Sequence, residues 1–313
     1  MTAATTSLTL ELAGLAVPAI QVTGARPGPR LTVIAGVHGC EYSSMAGLRG
    51  FVRGVDPEQL SGSIVAVPVL NLPSFWTRTP FVVPDDGKNL NRCFPGDPEG
   101  SLAERLAYDV FTQLITGSDA FVDMHAGDQV EALEPFTLYN AGPQEAKARE
   151  LAVAYGVGYV IRQDAGPEAA VSGDSSSAAA SIGVPAIIAE AGGCGLVTPE
   201  AVAAHRRGLE GLLATLEMLP STLPVPEPVF LDRFLWLRCA SGGWWEPTVE
   251  VGQHVKAGEL LGTVSTIDGG EVLESIHAPA TGIPMFITTS PAVLEDGLLL
   301  GLGAPAAELA ATA

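Results

Sequence analysis

The sequence predicts an α/β fold: a mixed β-sheet layered by helices, with a smaller all-β unit behind it. Three observations predict it. Short apolar runs alternate with helical patterns over the first 220 residues or so. Residues 220–228, PSTLPVPEP, then place four prolines in nine positions. Beyond them come short Val/Leu/Ile runs punctuated by Gly and Pro, such as VEVGQHVKAGELLGTVS and IHAPATGIP. The proline-rich stretch reads as a linker or edge segment, which sets the expected units at 1–222 and 223–313.

The first unit has four apolar runs: Leu31–Ala35, Ile64–Leu70, Ala120–Met124 and Val184–Ala189. Each is short and rich in Val, Ile or Leu, as in strands buried on both faces. A helix lies between the second and third. Ser101 and Glu104 have capping-box spacing, Leu106, Val110 and Leu114 repeat at i, i+4, and Gly117 follows the end. Thr198 followed by Pro199 opens another helix, expected to run to about Met218. His205 falls within it beside Arg206 and Arg207, on an expected solvated face. The end of the chain, APAAELAATA, reads as a frayed tail.

Composition sets outer limits. Hydrophobic residues reach 47% and charged ones 16%, so the chain has material for a large core and is not a disordered polymer. The 35 Asp+Glu outnumber the 16 Lys+Arg, a formal net charge of −19. That argues against tracking a phosphate backbone or an anionic membrane, which needs a basic stripe. Four cysteines without CxxC pairing fit a reducing compartment. The N-terminus has no signal-peptide pattern, and no apolar run approaches the roughly 18 residues of a membrane span. A cytoplasmic protein is expected, monomer or homo-oligomer.

The chemistry gathers where strands end. Leu31–Ala35 leads into Gly36-Val37-His38-Gly39-Cys40-Glu41, Ala120–Met124 into His125, and Val184–Ala189 into Glu190. Open α/β sheets form their ligand sites outside the carboxyl ends of the strands. His38 and Glu41, three apart around Gly39, can reach one point if Glu41 opens the following helix. His125 is the natural third ligand. Two imidazoles and a carboxylate are a first shell for catalytic zinc with a position left for water. Asp123, two residues before His125, shares its face of the strand and could hold the other ring nitrogen. A carboxylate ending an apolar strand, as Glu190 does, is rarely buried without a task.

Together, GVHGCE, DGKNLNRCFPG, DMH and PAIIAEAGG resemble the succinylglutamate desuccinylase/aspartoacylase family of the zinc carboxypeptidase superfamily. The resemblance covers the larger unit in order and spacing and extends to the small β unit. It implies a carboxypeptidase-like sheet and one zinc per chain on His38, Glu41 and His125. It further implies Glu190 as general base and proton shuttle, and Asn91-Arg92 as a substrate-binding pair. Arg78 resembles the arginine this family places upstream of its NLNR motif, to stabilise an oxyanion. The implied reaction is amide hydrolysis of a small N-acyl compound. A metallocarboxypeptidase for short peptides and a non-catalytic zinc-holding protein are the alternatives.

Two features of such enzymes are missing. No Lys or Arg occurs between Arg162 and Arg206, where aspartoacylase-like members carry an arginine for the substrate's second carboxylate. The last tyrosine is Tyr159, so no C-terminal tyrosine reaches the site; Trp244-Trp245 could shape that side instead. Both absences point away from N-acetylaspartate and N-succinylglutamate. They point toward a less acidic N-acyl amino acid, or a diamino acid whose amine meets Asp174 or Glu131. The small unit resembles a biotinyl/lipoyl-like hammerhead, but its hairpin, Asp268–Glu274, has no lysine, so no biotin or lipoate is expected.

Overall fold

The computed structural model describes residues 2–163, 172–221 and 224–305. The expected boundary at 222/223 and most of the expected tail lie outside the described residues. The chain opens with a hairpin, β1 (Ala4–Leu12) and β2 (Leu15–Thr23), turned by Ala13 and Gly14 at φ 52° and 80°. Then come β3 (Arg26–Ala35), α1 (Tyr42–Val52), β4 (Ser61–Val67) and α2 (Leu72–Thr77). A long loop leads to α3 (Leu102–Val110), β5 (Ala120–His125), β6 (Glu131–Leu133), β7 (Phe136–Asn140), α4 (Glu145–Tyr155) and β8 (Tyr159–Gln163). The α/β part closes with α5 (Ser175–Ser181), β9 (Ala186–Glu190) and α6 (Pro199–Thr215).

The helix starts follow the sequence signals. Glu104 reaches back to the Ser101 amide at 2.8 Å, and the Thr198 hydroxyl accepts from Ala201 N at 3.2 Å. All four expected apolar runs contribute strands. A nine-stranded mixed sheet results, in the order β1-β2-β4-β3-β5-β9-β7-β8, with a final strand β10 (Val229–Leu231) parallel to β8. At its centre β3, β5 and β9 run parallel, so their carboxyl ends face the same way. Helices cover both faces. One core joins residues of α1, α4 and α6 to the sheet, and a second joins α3 and α5 to the other face. Every residue of β5 is buried, which is why it reads as an apolar run broken only by Asp123 before His125.

The C-terminal part is all-β as expected. It comprises β11 (Arg233–Arg238), β12 (Gly243–Pro247), β13 (Leu260–Ser265), β14 (Val272–His277), β15 (Ile283–Thr288), β16 (Ala292–Val293) and β17 (Leu298–Ala304). They form two four-stranded antiparallel sheets, β11-β17-β15-β6 and β14-β13-β12-β16. Strands are exchanged between the two parts: β6 adds to the small sheet and β10 to the large one. A cluster of Phe136, Ile161, Leu231, Ile283 and Met285 packs across that exchange. Among the described residues no helix is long and apolar enough to cross a membrane.

Candidate active site

His38, Glu41 and His125 converge where β3 and β5 end. Glu41 is the residue before α1, and its carboxylate lies between the two rings: Oε1 is 2.6 Å from His38 Nδ1 and Oε2 is 2.9 Å from His125 Nδ1. Oε2 also accepts from Ala126 N at 3.1 Å. The turn that brings His38 and Glu41 together depends on Gly39. A Cβ there would lie 2.3 Å from Phe75 N, and its amide donates to Ser74 Oγ at 2.9 Å, so α2 presses directly on this backbone.

Both outward ring nitrogens are held. His125 Nε2 lies 3.1 Å from Asp123 Oδ2, as the strand spacing predicts, and His38 Nε2 lies 3.0 Å from Asn89 Oδ1. That fixes both rings with Nδ1 toward the shared point. The three donor groups lie within 4.8 Å of one another and could hold a metal ion. Two imidazole nitrogens and one carboxylate oxygen, with both rings oriented from behind, fit a divalent ion such as zinc. Burial alone would strip the histidine protons and protonate Glu41. Charge attraction outweighs it: Glu41 raises the His38 pKa, Asp123 and then Glu41 raise that of His125, and His125 and His38 hold Glu41 at about 2.

Glu190 ends β9 directly opposite His125 in the parallel register. It keeps some exposure, yet its Oε2 is buried with no hydrogen-bond partner. Burial raises its pKa well above that of an ordinary glutamate; His125 opposes the rise, and Glu41, Glu131 and Asp123 add to it. These groups open into one cavity of about 1240 Å³. Asn91 and Arg92 stand in its wall. Asn91 Nδ2 is 3.4 Å from His125 Nε2, and Arg92 Nη1 donates to Asn91 O at 2.6 Å. The structure does not bring Arg78 to this cavity. Arg78 caps α2 at φ 56° and lines a separate, more apolar groove with Trp76, Arg49 and Arg53.

Two supporting residues were not singled out in the sequence. Asn89 opens the NLNR motif but looks like one more turn residue. Ser175, in the stretch that lacks an arginine, donates from Oγ to Asp123 Oδ2 at 2.5 Å and from its amide to Asn91 Oδ1 at 2.9 Å. Arg162, Arg233 and Arg238 also reach the cavity wall, from β8 and β11. Of the tryptophans, Trp236 lines the cavity. Trp245 instead fills the small core with Nε1 donating to Thr288 O at 3.0 Å, and Trp244 is exposed.

His205 is a correction. The expected solvated histidine is 0% exposed, its Nε2 3.0 Å from Ala191 O and its Nδ1 2.8 Å from Tyr155 Oη. Nε2–H therefore donates and Nδ1 accepts, which fixes the neutral tautomer and ties α6 to the turn after Glu190. The flanking arginines concealed its inward-facing position on α6. Burial, against the hydrogen bond to Ala191, lowers its pKa to about 4. Because the unfolded chain takes up this proton near pH 6.5 and the native state does so only near 4, stability falls as pH drops through that window. Urea unfolding is expected to give His205→Gln a shallower loss than the parent protein, by about 3 kcal/mol in total at pH 4. Equal pH slopes would refute this account.

The catalytic-domain model of the succinylglutamate desuccinylase/aspartoacylase family matches residues 27–216. The chain belongs to this family. It is 32% identical over 246 residues to an N-alpha-acetyl-L-2,4-diaminobutyric acid deacetylase of Halomonas elongata, spanning 76% of this chain and 70% of that one. Among solved structures, the product-bound ectoine utilization protein EutE (DoeB) from Ruegeria pomeroyi superposes with a TM-score of 0.84. It is 22% identical, over 93% of this chain and 89% of that one. A succinylglutamate desuccinylase/aspartoacylase from Rhodobacter sphaeroides superposes with a TM-score of 0.81 at 23% identity, covering 96% and 94%. Family membership makes hydrolysis of N-acyl amino acids the chemistry to expect of this site.

Proposed function

We propose that this chain is a zinc-dependent cytoplasmic deacylase that hydrolyses the amide bond of a small N-acyl diamino acid, of the kind named for its Halomonas relative. One observation carries the reading. A carboxylate oxygen with no partner, Glu190 Oε2, stands at a strand end beside the His38, Glu41 and His125 cluster in a single cavity. A structural carboxylate would have spent that oxygen on a cap or an ion pair.

His38, Glu41 and His125 would hold the metal, which when bound acidifies a water and polarises the scissile carbonyl. Glu190 takes the proton of the attacking water on its carboxylate and delivers it to the departing amide nitrogen. Water and amide thereby become a free carboxylate and an amine. Arg92, its guanidinium in the cavity wall, is suited to the substrate α-carboxylate, with Asn91 holding the loop beside His125. Asp123 and Asn89 keep the two imidazoles in orientation. Four free thiols suit a reducing compartment.

A panel tests the reading by following amine release from N-α-acetyl-2,4-diaminobutyrate, N-acetylaspartate, N-succinylglutamate and short peptides. The diamino acid derivative is expected to lead the dicarboxylic ones in kcat/KM by about 100-fold or more. Preference for either dicarboxylic compound would reject the substrate class. Dominant trimming of peptides would make the protein a carboxypeptidase.

A further inference from the structure

Two residues in the wall of this cavity carry opposite charges that the hydrolytic chemistry does not itself require. Arg92 supplies the positive one and Asp174 the negative one. The loop that bears Asp174 is locked onto the strand of chain that bears Arg92. Phe94 N donates to Gly173 O at 2.9 Å, and Ser175 N donates to Asn91 Oδ1 at 2.9 Å. Gly173, at φ +78°, lies so close that a Cβ would come within 2.5 Å of Arg92 O. The two residues are therefore held in neighbouring segments that are locked together.

Asp174 is 1% exposed. Its Oδ1 is fully used, accepting from Ser177 N at 2.8 Å and from Ser176 Oγ at 2.7 Å. Its Oδ2 is buried and has no hydrogen-bond partner. Among the described residues no ion pair joins Asp174 to Arg92. An isolated carboxylate oxygen at that depth is costly unless a cation meets it. Of the other acids in this wall outside the metal-ligating cluster and Glu190, Glu131 already has Oε2 accepting from Asp128 N at 3.1 Å, which ties it to its own loop, and Asp232 has an interaction of its own.

We propose that Asp174 Oδ2 receives the terminal ammonium of the substrate while Arg92 receives its α-carboxylate, so that the pair selects N-acyl diamino acids. An ammonium brings the donors that the orphaned oxygen lacks. A second carboxylate at the same place would face Asp174 and be repelled, whereas an uncharged side chain would leave the oxygen unpaired. This assignment rests on the deacylase reading above and adds the residue that sets its specificity.

The experiment compares kcat/KM for N-α-acetyl-2,4-diaminobutyrate and for its uncharged isostere N-acetylnorvaline, in the parent protein, Asp174→Asn and Glu131→Gln. Asparagine caps a helix as well as aspartate does, so α5 is retained; Asp174→Ser, also a good cap, is the second variant should the first not fold. The diamino-to-norvaline ratio is expected to fall by about 30-fold or more in Asp174→Asn. Calorimetric affinity for the product 2,4-diaminobutyrate should weaken in step, and Glu131→Gln should keep the parent ratio. An unchanged ratio in both Asp174 variants, or a collapse in Glu131→Gln alone, overturns the assignment and leaves the deacylase reading standing. Failure of the parent protein to hydrolyse any N-acetyl amino acid would instead overturn that reading, and the assignment with it.

Discussion

Glu190→Gln is expected to lower kcat for N-acyl amino acid hydrolysis by about 10²–10⁴-fold, with the bound metal and the fold retained. The fold should tolerate the change because Glu190 Oε2 makes no hydrogen bond that an amide would break. The site should hold its metal because Glu190 is not one of the three grouped ligands. What disappears is the carboxylate that ends β9 opposite His125. Burial holds its pKa well above the usual glutamate range, and the neighbouring Glu41, Glu131 and Asp123 add to the rise against the pull of His125. Glutamine can neither take the water proton nor return it to nitrogen. Metal content by elemental analysis and the thermal midpoint should match the parent protein. A variant that keeps more than about a tenth of the parent kcat would remove Glu190 from the proton path.

The parts of this site that were legible in the sequence are those whose physics is local. Strands β3, β5 and β9 are buried on both faces, so their apolar runs stand out, and the first polar residue after each run falls at the carboxyl end of the sheet. His38, His125 and Glu190 follow from that alone, and Asp123 follows from the two-residue period of a strand. The remainder depends on which segments meet in space. Asn89 and Ser175 act through residues 51 and 52 positions away. The cavity arginines Arg162 and Arg233 come from β8 and β11, one at the very edge of the stretch whose lack of positive charge drew notice and the other beyond it. The three-residue strands β6 and β10 are too short to show a period, so their exchange between the two parts left no pattern. His205 misled because Arg206 and Arg207 advertise solvent, while helical spacing turns His205 itself to Tyr155.

Glu41→Gln should abolish both metal retention and hydrolysis, with kcat/KM falling at least 10³-fold and bound metal dropping to about a tenth of an equivalent or less. Glutamine preserves the shape of the side chain and can still accept from Ala126 N, so the variant isolates the charge. That charge is central to the cluster: the carboxylate contacts both imidazoles, at 2.6 and 2.9 Å, and is held ionised to about pH 2 by them. Without it the His38 and His125 rings, with centroids 5.1 Å apart, face each other across a buried gap with no anion between them. Two neutral imidazoles remain as donors, too few to compete with water for a divalent ion at micromolar supply. Chelation gives an independent reading of the same site. A ligand present at about 1,000 times its dissociation constant stabilises the native state by about 4 kcal/mol. Removing the metal from the parent protein should therefore lower its thermal midpoint by an amount on the order of 10 °C. Glu41→Gln should begin near that lower midpoint and respond to neither chelator nor added zinc. A parent protein indifferent to chelator, or a Glu41→Gln variant that binds zinc as tightly as the parent, would show that His38, Glu41 and His125 are not the metal site.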